Sequence, residues 1–517
     1  MSHLLTLADA VAAHARLTPN KLGARDSQRR LTYAQWHDRA TRLAAGLCGL
    51  GLTKGDRVGI VAYNCLAWME MYVGLARAGL VAVPLNFRLT GPEMAYILDN
   101  AEVSAVIAGE EFHDTLNGLR GQLTVAAERY ISLSSSTAEG WTGYEQLLAQ
   151  ADMTHSFEPV RPEDTCALMY TSGTTGRPKG AIRNHGGSSL IALATALEMG
   201  FTRQDTALLV MPLCHANSLY FGTTFIHLGG TCIVDDRRSF DPAALLRTMA
   251  EEHVTFTSLV PTHYIMLMSL PLEVRTRYDV SAVGKLLISS APARPDTKRG
   301  IMELFPNGKL YELYGSTEAG WVTLLRPEEQ LSKLGSVGRE WACSGAIQLL
   351  DEHGQEVADG DVGELYSRTS YVFDGYWKNP EKTAEAFAGE WCSVGDMARR
   401  DSDGYIWLVD RKSNMIISGG ENIYPSEVES VLGLHPAVRD VAVIGVPHDK
   451  WGETALAVVV SHPGHVVSSD ELRDWCRQRM AGFKCPSRIE FVDDAQMPRT
   501  ATGKVLHRVL RQTFAST

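Results

Sequence analysis

Residues 169–180 read Met-Tyr-Thr-Ser-Gly-Thr-Thr-Gly-Arg-Pro-Lys-Gly. This stretch follows an apolar run, residues 166–170, whose pattern predicts a buried strand. From residue 171 to residue 180, every position except Pro178 is a glycine, a hydroxyl residue or a basic residue, which is unusual for a simple turn. Such a loop can wrap main-chain N–H groups and hydroxyls around a polyphosphate, with Lys179 as a point charge. It is not a Walker loop, because Gly173 and Gly176 are too close together and a proline precedes the lysine.

Composition narrows the class of protein. The chain has 517 residues, 45% hydrophobic and 21% charged, which is typical of a soluble globular protein of roughly two to four domains. A formal charge of −11 argues against nucleic acid as a partner. Nine scattered cysteines without metal-ligand spacing fit a reducing compartment. The sequence contains no uninterrupted apolar stretch of the kind that would predict a signal peptide or a membrane span. We therefore expect a cytoplasmic protein. The sequence leaves a homodimer open.

Helical and strand patterns alternate along most of the chain. Helical spacing predicts helices over residues 32–50 and 67–78. Short apolar runs predict strands over residues 57–62, 80–85, 208–210, 231–234, 256–259 and 285–289. This alternation predicts an α/β fold whose large N-terminal domain is built from layered βαβ units with mixed sheets.

The composition changes after residue 405. A strand over residues 406–409 is followed by a charged connector, residues 410–414, and then by roughly a hundred residues with two helices and several strands. Ser426 with Glu429, and Ser468 with Glu471, predict capping boxes where the two helices begin. We therefore expect a large domain over residues 1–410, a small mobile α+β domain over residues 411–517, and a hinge near residues 410–414.

Four further segments combine glycine with carboxylate, hydroxyl or lysine side chains. Residues 311–320, Tyr-Glu-Leu-Tyr-Gly-Ser-Thr-Glu-Ala-Gly, suit a Mg²⁺–phosphate site or an ordinary acidic turn. The carboxylate of Asp396 can accept from both ribose hydroxyls, although an aspartate after glycine is more often a turn residue. Gly419 and Gly420 permit close approach of a backbone. Lys504 ends the segment Pro-Arg-Thr-Ala-Thr-Gly-Lys, where a lysine is usually a solvated surface charge.

Together these motifs resemble the signature motifs of the adenylate-forming enzymes, a family that includes acyl-CoA synthetases, adenylation domains and luciferases. Five motifs in the family's order extend from about residue 165 to residue 504. Two positions depart from the pattern: Val394 stands where the family usually has threonine, and Ser413 where it commonly has aspartate or lysine. The second departure removes the charge at the position about which the family's small domain rotates.

The resemblance implies a role for each matched residue. Lys504, Thr317, Glu318 and His215 would be catalytic, with Glu318 as a Mg²⁺ ligand and Thr174 as a further candidate ligand. ATP would contact Thr171, Ser172, Gly173, Thr174, Thr175, Gly176, Lys179, Ser290, Ala291, Pro292, Tyr314, Gly315, Asp396 and Arg411. The acid would lie among His215, Ala216, Asn217, Tyr220 and Trp321. Coenzyme A would lie among Gly419, Gly420, Glu421 and Lys484, and the small domain would rotate about Ser413.

The pocket segment indicates the branch of the family. Residues 212–218, Pro-Leu-Cys-His-Ala-Asn-Ser, contain no carboxylate to pair with the ammonium of an amino acid, and no arginine for a dicarboxylate such as malonate. With no carrier domain expected after Lys504, these features favour an ATP- and Mg²⁺-dependent acid–CoA ligase. It would form an acyl-adenylate with release of pyrophosphate, then transfer the acyl group to CoA with release of AMP.

A fatty, aryl or carnitine-like acid stays open as the substrate. An adenylation enzyme that loads a carrier protein is one alternative, and a luciferase-like oxygenase is not formally excluded. A non-catalytic acyl or nucleotide sensor is another alternative. A sensor would be expected to lack Glu318, Asp396 or Lys504, all of which are present.

Overall fold

A computed structural model describes residues 6–134, 138–171, 177–289, 293–341, 343–418, 421–448, 450–500 and 505–514. The chain divides into two units. The first contains Met1–Ala346 and Ser367–Cys392, and the second contains Ile347–Tyr366 and Ser393–Thr517. Residues 347–366 and 393–410, which the sequence assigned to the large domain, thus group with the second unit. The predicted hinge near residues 410–414 concerns motion and stays a prediction.

Two mixed sheets form the framework of the first unit. In spatial order, one contains β7 (Thr142–Gly143), β6 (Tyr130–Ser132), β5 (Val103–Ala108), β3 (Arg57–Val61), β4 (Val81–Pro84), β8 (Thr165–Thr171) and β9 (Lys179–Asn184). The other contains β15 (Gly320–Leu325), β14 (Lys309–Ser316), β13 (Lys285–Ile288), β12 (Phe256–Leu259), β10 (Thr206–Leu209), β11 (Thr231–Val234), β1 (Leu22–Arg25) and β2 (Arg30–Thr32). Most pairs are parallel, whereas β8–β9, β14–β15 and β1–β2 are antiparallel. The predicted α/β fold with mixed sheets is confirmed.

Helices cover these sheets and complete the core of the first unit. They are α1 (Leu7–Leu17), α2 (Tyr33–Gly49), α3 (Ala67–Ala78), α4 (Gly91–Asn100), α5 (His113–Leu119), α6 (Tyr144–Ala149), α7 (His185–Met199), α8 (Ala216–Leu228), α9 (Pro242–Glu251), α10 (Pro261–Met268), α11 (Leu272–Arg275), α12 (Pro295–Leu304) and α13 (Pro380–Ala386). A hairpin of β18 (Phe387–Ala388) and β19 (Trp391–Cys392) ends the unit. The interior holds large rings such as Trp36, Trp68 and Phe225, and the Trp36 indole donates to the Met69 carbonyl at 3.1 Å.

The second unit contains two smaller sheets. In the first, β17 (Val362–Ser367) pairs with β16 (Ile347–Leu350) and β20 (Asp396–Arg400), and β20 pairs with β21 (Ile406–Arg411). The second has β23 (Glu421–Ile423), β22 (Ile416–Ser418), β25 (Gly452–Ser461) and β24 (Val438–His448) in order, with β26 (Arg488–Phe491) also on β25. The helices of this unit are α14 (Pro425–Leu432), α15 (Ser469–Arg477) and α16 (His507–Phe514).

One of the two predicted capping boxes is wrong. The Ser468 hydroxyl accepts from the Glu471 amide at the start of α15, as predicted. Helix α14 instead begins at Pro425, so Ser426 lies inside it, and its hydroxyl donates to the Val409 carbonyl. Tertiary hydrogen bonds therefore take the side chain that the local pattern assigned to a cap.

No helix in the described part of the chain combines the length and apolarity needed to cross a bilayer.

Candidate active site

Several predicted site residues lie outside the described residues. They are Ser172, Gly173, Thr174, Thr175, Gly176, Ser290, Ala291, Pro292, Gly419, Gly420 and Lys504. The structure does describe the residues that flank them in the sequence. Thr171 and Lys179 face each other across the antiparallel β8–β9 pair, so the described residues on the two sides of the phosphate-loop segment lie on adjacent strands.

A buried carboxylate contacts the β8–β9 pair. Glu318 is 6% exposed, and its Oε1 accepts from the Thr171 hydroxyl at 3.1 Å and from the Tyr376 hydroxyl at 2.9 Å. The Lys179 ammonium lies 4.1 Å from the centroid of the Tyr376 ring. The structure thus brings together Thr171, Lys179 and Glu318, which the sequence predicted to share one site. It adds Tyr376, which the sequence did not indicate because it lies 58 residues from Glu318.

The turn that carries Thr317 and Glu318 is held in shape by its neighbours. It connects β14, on which Tyr314 and Gly315 lie, to β15. The Ala319 amide donates to the Ser316 hydroxyl at 2.9 Å. Gly320 has φ of +72°, and a Cβ there would lie 2.6 Å from the Tyr371 ring, so the turn requires glycine. Thr317 and Glu318 therefore sit on a fixed main chain at the end of β14.

The predicted acid-pocket residues lie where α8 begins and β15 starts. His215 is the N-cap of α8, followed by Ala216, Asn217 and Tyr220. The Tyr220 ring packs edge-on against Trp321, with ring centroids 5.2 Å apart. The indole of Trp321 also donates to the Thr195 hydroxyl of α7 at 3.1 Å. An aromatic pair thus stands beside the α8 N-terminus.

Asn217 connects α8 to the ends of two parallel strands. Its amide nitrogen donates to the Ser258 hydroxyl at 3.0 Å and to the Ser289 hydroxyl at 2.7 Å. Its Oδ1 is buried and has no hydrogen-bond partner among the residues that the structure describes. The strand ends at Ser258 and Ser289 therefore meet a neutral polar side chain rather than a charged one.

His215 is neutral at physiological pH. Burial lowers the pKa of its imidazole to about 4, with a smaller contribution from the positive charge of Arg88. The residue keeps some exposed surface, but its Nε2 is buried and unpartnered within the described ranges. A proton on this ring would be poorly solvated, which is why the charged form is disfavoured.

This pKa gives a prediction about acid stability. The folded-state pKa lies below the ordinary value of about 6.5, so the unfolded chain binds the proton first as the pH falls. Above pH 6.5 His215 has no effect of this kind, whereas between about pH 6.5 and 4 it reduces the free energy of unfolding by at most about 1.4 kcal/mol per pH unit. His215→Gln should therefore lose less stability than the wild type between pH 7 and pH 4.5 in urea unfolding. Parallel loss in both proteins would contradict the low pKa.

In the second unit, the residues predicted to bind ribose form an ion pair. Asp396 and Arg411 face each other across β20 and β21, and the Arg411 Nε lies 3.0 Å from the Asp396 Oδ1. Asp396 is 8% exposed. It is thus a strand residue with an arginine partner, not the isolated turn residue that its glycine neighbour would suggest.

The predicted hinge position is held by main-chain contacts. Arg511 of α16 donates to the Ser413 carbonyl at 3.1 Å and to the Asn414 carbonyl at 3.0 Å. The carboxylate of Asp410 accepts from the Asn414 side chain at 3.2 Å and from the Ser426 amide at 2.9 Å. The connector is therefore tied to both α14 and α16.

The predicted CoA-facing residues follow the connector along the chain, and the structure describes two of them, Glu421 and Lys484. Glu421 is exposed on β23 and pairs with Ser418 of the antiparallel strand β22. The Lys484 ammonium binds both carboxylate oxygens of Glu427, at 2.7 and 2.8 Å. Its charge is thus already compensated within the unit.

The two flanks of Lys504 are also placed. Arg499 forms a β-bridge with Val505, and the Leu506 amide donates to the Pro498 carbonyl at 2.8 Å. The described residues on the two sides of this segment are therefore paired with each other just before α16 begins.

Comparison with known proteins matches two family models to the chain. Residues 11–377 match the AMP-binding enzyme family, and residues 427–504 match the AMP-binding enzyme C-terminal domain. A feruloyl-CoA synthase of an Amycolatopsis species is 37% identical over 506 residues, which is 97% of each chain. A long-chain-fatty-acid–CoA ligase of Mycobacterium tuberculosis is 32% identical over 501 residues, 94% of each chain. The crystal structure of an anthranilate CoA ligase in complex with anthranoyl-AMP superposes with a TM-score of 0.88 at 26% identity, covering 100% of this chain and 98% of that one.

The chain therefore belongs to the AMP-binding enzyme family, the adenylate-forming superfamily that the sequence motifs resemble. Within that superfamily, relatives at 32% to 37% identity are acid–CoA ligases, so the predicted branch is also confirmed. A fatty acid–[acyl-carrier-protein] ligase of Streptomyces coeruleorubidus is also similar, at 30% identity over 527 residues.

Proposed function

We propose that this chain is an ATP-dependent acid–CoA ligase in which Glu318, Thr171 and Lys179 form the phosphate end of the active site. The observation that best supports this proposal is the buried Glu318 carboxylate beside the β8–β9 pair, which accepts hydrogen bonds from the Thr171 and Tyr376 hydroxyls. A carboxylate, hydroxyls and a lysine gathered at one turn suit the binding of a polyphosphate and its metal ion.

The reaction has two steps. A carboxylate oxygen of the acid attacks the α-phosphorus of ATP, the bond from this phosphorus to the bridging oxygen breaks, and pyrophosphate leaves. The thiol of CoA then attacks the carbonyl carbon, releasing its proton, and AMP leaves with one oxygen of the original acid. The protein's part in the first step is to position the reactants and to stabilise the charge on the phosphates. Thr317 and Lys504 would contact the α-phosphate and the attacking carboxylate.

The residues present fit a magnesium ion. Among the described residues, no group of three or more histidine, cysteine, aspartate or glutamate side chains is arranged to hold a metal. Mg²⁺ commonly binds through one or two carboxylates together with substrate phosphates, and Glu318 offers such a carboxylate beside the β8–β9 pair. When bound, the ion would neutralise negative charge on the phosphates. Thr174 remains a candidate for a second contact.

The two steps, adenylate formation and thioester formation, require two arrangements of the small domain. Lys504 and the segment from Ser418 to Glu421 are different parts of the C-terminal region, and both must reach the same carbonyl carbon. We propose that the region beyond residues 410–414 rotates about Ser413, presenting Lys504 first and the segment around Gly419 and Gly420 afterwards. Arg511 binds the carbonyl of Ser413 and would be part of this hinge. Asp396 and Arg411 would contact the ribose and phosphates.

The acid is proposed to be aromatic. His215 is neutral, Asn217 offers an amide, and the buried Tyr220–Trp321 pair places aromatic side chains beside them. Such a pocket favours a flat, uncharged acyl group. The feruloyl-CoA synthase and the anthranilate CoA ligase among its relatives support an aryl acid over a carnitine-like one, although the fatty-acid ligase keeps fatty acids as the second candidate.

A panel of acids tests this proposal. Pyrophosphate release is measured with MgATP and aryl, fatty, dicarboxylic and amino acids, with and without CoA. We expect the highest kcat/KM with an aryl acid, and AMP rather than ADP as the nucleotide product. If malonate or a free amino acid were the best substrate, the assignment of a neutral pocket would be wrong. A CoA-independent product that accumulates on a carrier protein would favour the carrier-loading alternative.

A further inference from the structure

A buried arginine lies behind the candidate metal site. Arg183 of β9 is 2% exposed. Its guanidinium donates to three main-chain carbonyls, those of Tyr371 at 2.7 Å, Glu318 at 3.3 Å and Thr317 at 3.4 Å. The sequence motifs did not indicate this residue, because it stands three positions beyond the end of the phosphate-loop signature.

Two of the three carbonyls belong to the residues assigned to the metal and the α-phosphate. The Glu318 carbonyl also accepts from the Phe373 amide at 2.8 Å, and the Tyr371 hydroxyl donates to the Trp321 carbonyl at 2.8 Å. Arg183 thus fastens the turn of Thr317 and Glu318 to the segment that leads to Tyr376. The same guanidinium lies 5.5 Å from the centroid of the Tyr220 ring, on the side of the predicted acid pocket.

Few side chains could replace Arg183 here. Arginine presents five donors in a rigid plane, whereas lysine presents three on a flexible stem, and an apolar side chain presents none. Burying a guanidinium is costly where its donors are not hydrogen-bonded, and the Nε of Arg183 is buried without a hydrogen-bond partner among the described residues. A position that required only side-chain volume would therefore favour an apolar residue. At Arg183, the three hydrogen bonds to main-chain carbonyls offset part of the free-energy cost of burying the guanidinium.

We propose that Arg183 is a positioning residue for adenylate formation. By holding the carbonyls of Thr317 and Glu318, it sets the direction of the Glu318 carboxylate and of the Thr317 side chain. This inference rests on the proposed function of the site. A purely structural role would stabilise the first unit without changing how the protein binds MgATP.

The test separates positioning from stability. Arg183→Met removes all three bonds, and Arg183→Lys keeps the charge with fewer donors. Binding of Mg²⁺ with a non-hydrolysable ATP analogue is measured by calorimetry, and pyrophosphate release is measured as a function of Mg²⁺ concentration. We expect Arg183→Met to weaken Mg²⁺-dependent binding of the analogue at least about fivefold and to lower kcat by about 10–100-fold. Arg183→Lys should show smaller changes in both quantities in the same direction.

Arg57 provides a matched control in the same unit. It also donates to three main-chain carbonyls, those of Gly55, Ala101 and Glu102, none of which has a predicted role in the site. Arg57→Met should lower the Tm as Arg183→Met does, but leave the binding of Mg²⁺ and the analogue unchanged.

The inference is overturned if Arg183→Met lowers only the Tm, as Arg57→Met is expected to do. Should Arg183→Met fail to fold, unchanged Mg²⁺-dependent binding in Arg183→Lys overturns it instead. The proposed function fails separately, if the wild-type protein releases no pyrophosphate with any acid while still binding the analogue.

Discussion

Replacing Lys504 by alanine is expected to slow acyl-adenylate formation by at least about 10²-fold while leaving thioester formation from a supplied acyl-AMP nearly unchanged. The first step requires a positive charge beside the attacking carboxylate and the α-phosphate, whereas the second step releases AMP and has no such requirement. Arg499 and Val505, which flank the segment containing Lys504, pair through their main chains, and the substitution leaves those main chains unchanged, so it should not disturb the fold. Pyrophosphate release and the loss of free CoA thiol report the two steps separately.

Arg508→Ala is the control for this prediction. Arg508 is exposed on α16, shortly after Lys504 in the sequence, so its replacement removes a positive charge from the same part of the chain without changing a predicted site residue. It should leave both half-reactions at the wild-type rate. Equal loss of both half-reactions in a folded Lys504→Ala protein would mean that the C-terminal region does not alternate between two arrangements.

Glu318→Gln is expected to reduce adenylate formation by about 10²–10³-fold, with a higher Mg²⁺ concentration at half-maximal rate. The amide oxygen can still accept from the hydroxyls of Thr171 and Tyr376, so the local packing should survive. What disappears is the negative charge that would hold the metal against the phosphates. The rate of pyrophosphate release is measured over a range of Mg²⁺ concentrations at saturating ATP and acid.

Glu328→Gln controls for the loss of one negative charge near β15. Glu328 is exposed on the segment that follows this strand, and its substitution should leave the Mg²⁺ dependence unchanged. A Glu318→Gln protein with wild-type rate and Mg²⁺ dependence would remove Glu318 from the metal site.

Helices and strands could be predicted from the local sequence pattern wherever tertiary contacts did not compete with that pattern. The predicted helix over residues 67–78 is α3 residue for residue, and it ends where Gly79 adopts φ of +67°. The strand over residues 231–234 is likewise β11. The box predicted from Ser426 and Glu429 failed because Pro425 begins α14 one residue before Ser426. A local motif cannot reveal that a strand carbonyl will compete for the serine hydroxyl.

Some residues of the candidate site could likewise be predicted from the sequence, whereas others could not. Thr171 and Glu318 could be predicted because each lies in a contiguous motif whose residue types match phosphate and metal chemistry. Tyr376 and Arg183 could not, since their contacts to Glu318 join residues 58 and 135 positions apart in the sequence. Arg183 in particular has the sequence context of an ordinary strand residue, and only the three-dimensional structure shows which carbonyls it meets.

Transfer of oxygen from the acid to AMP is the most direct test of the proposed chemistry. The wild-type protein is incubated with MgATP, CoA and an acid whose two carboxylate oxygens are ¹⁸O, and the products are analysed by mass spectrometry. Attack of the carboxylate on the α-phosphorus predicts AMP that carries one ¹⁸O and pyrophosphate that carries none. Unlabelled AMP, or ADP with ¹⁸O in inorganic phosphate, would contradict the formation of an acyl-adenylate.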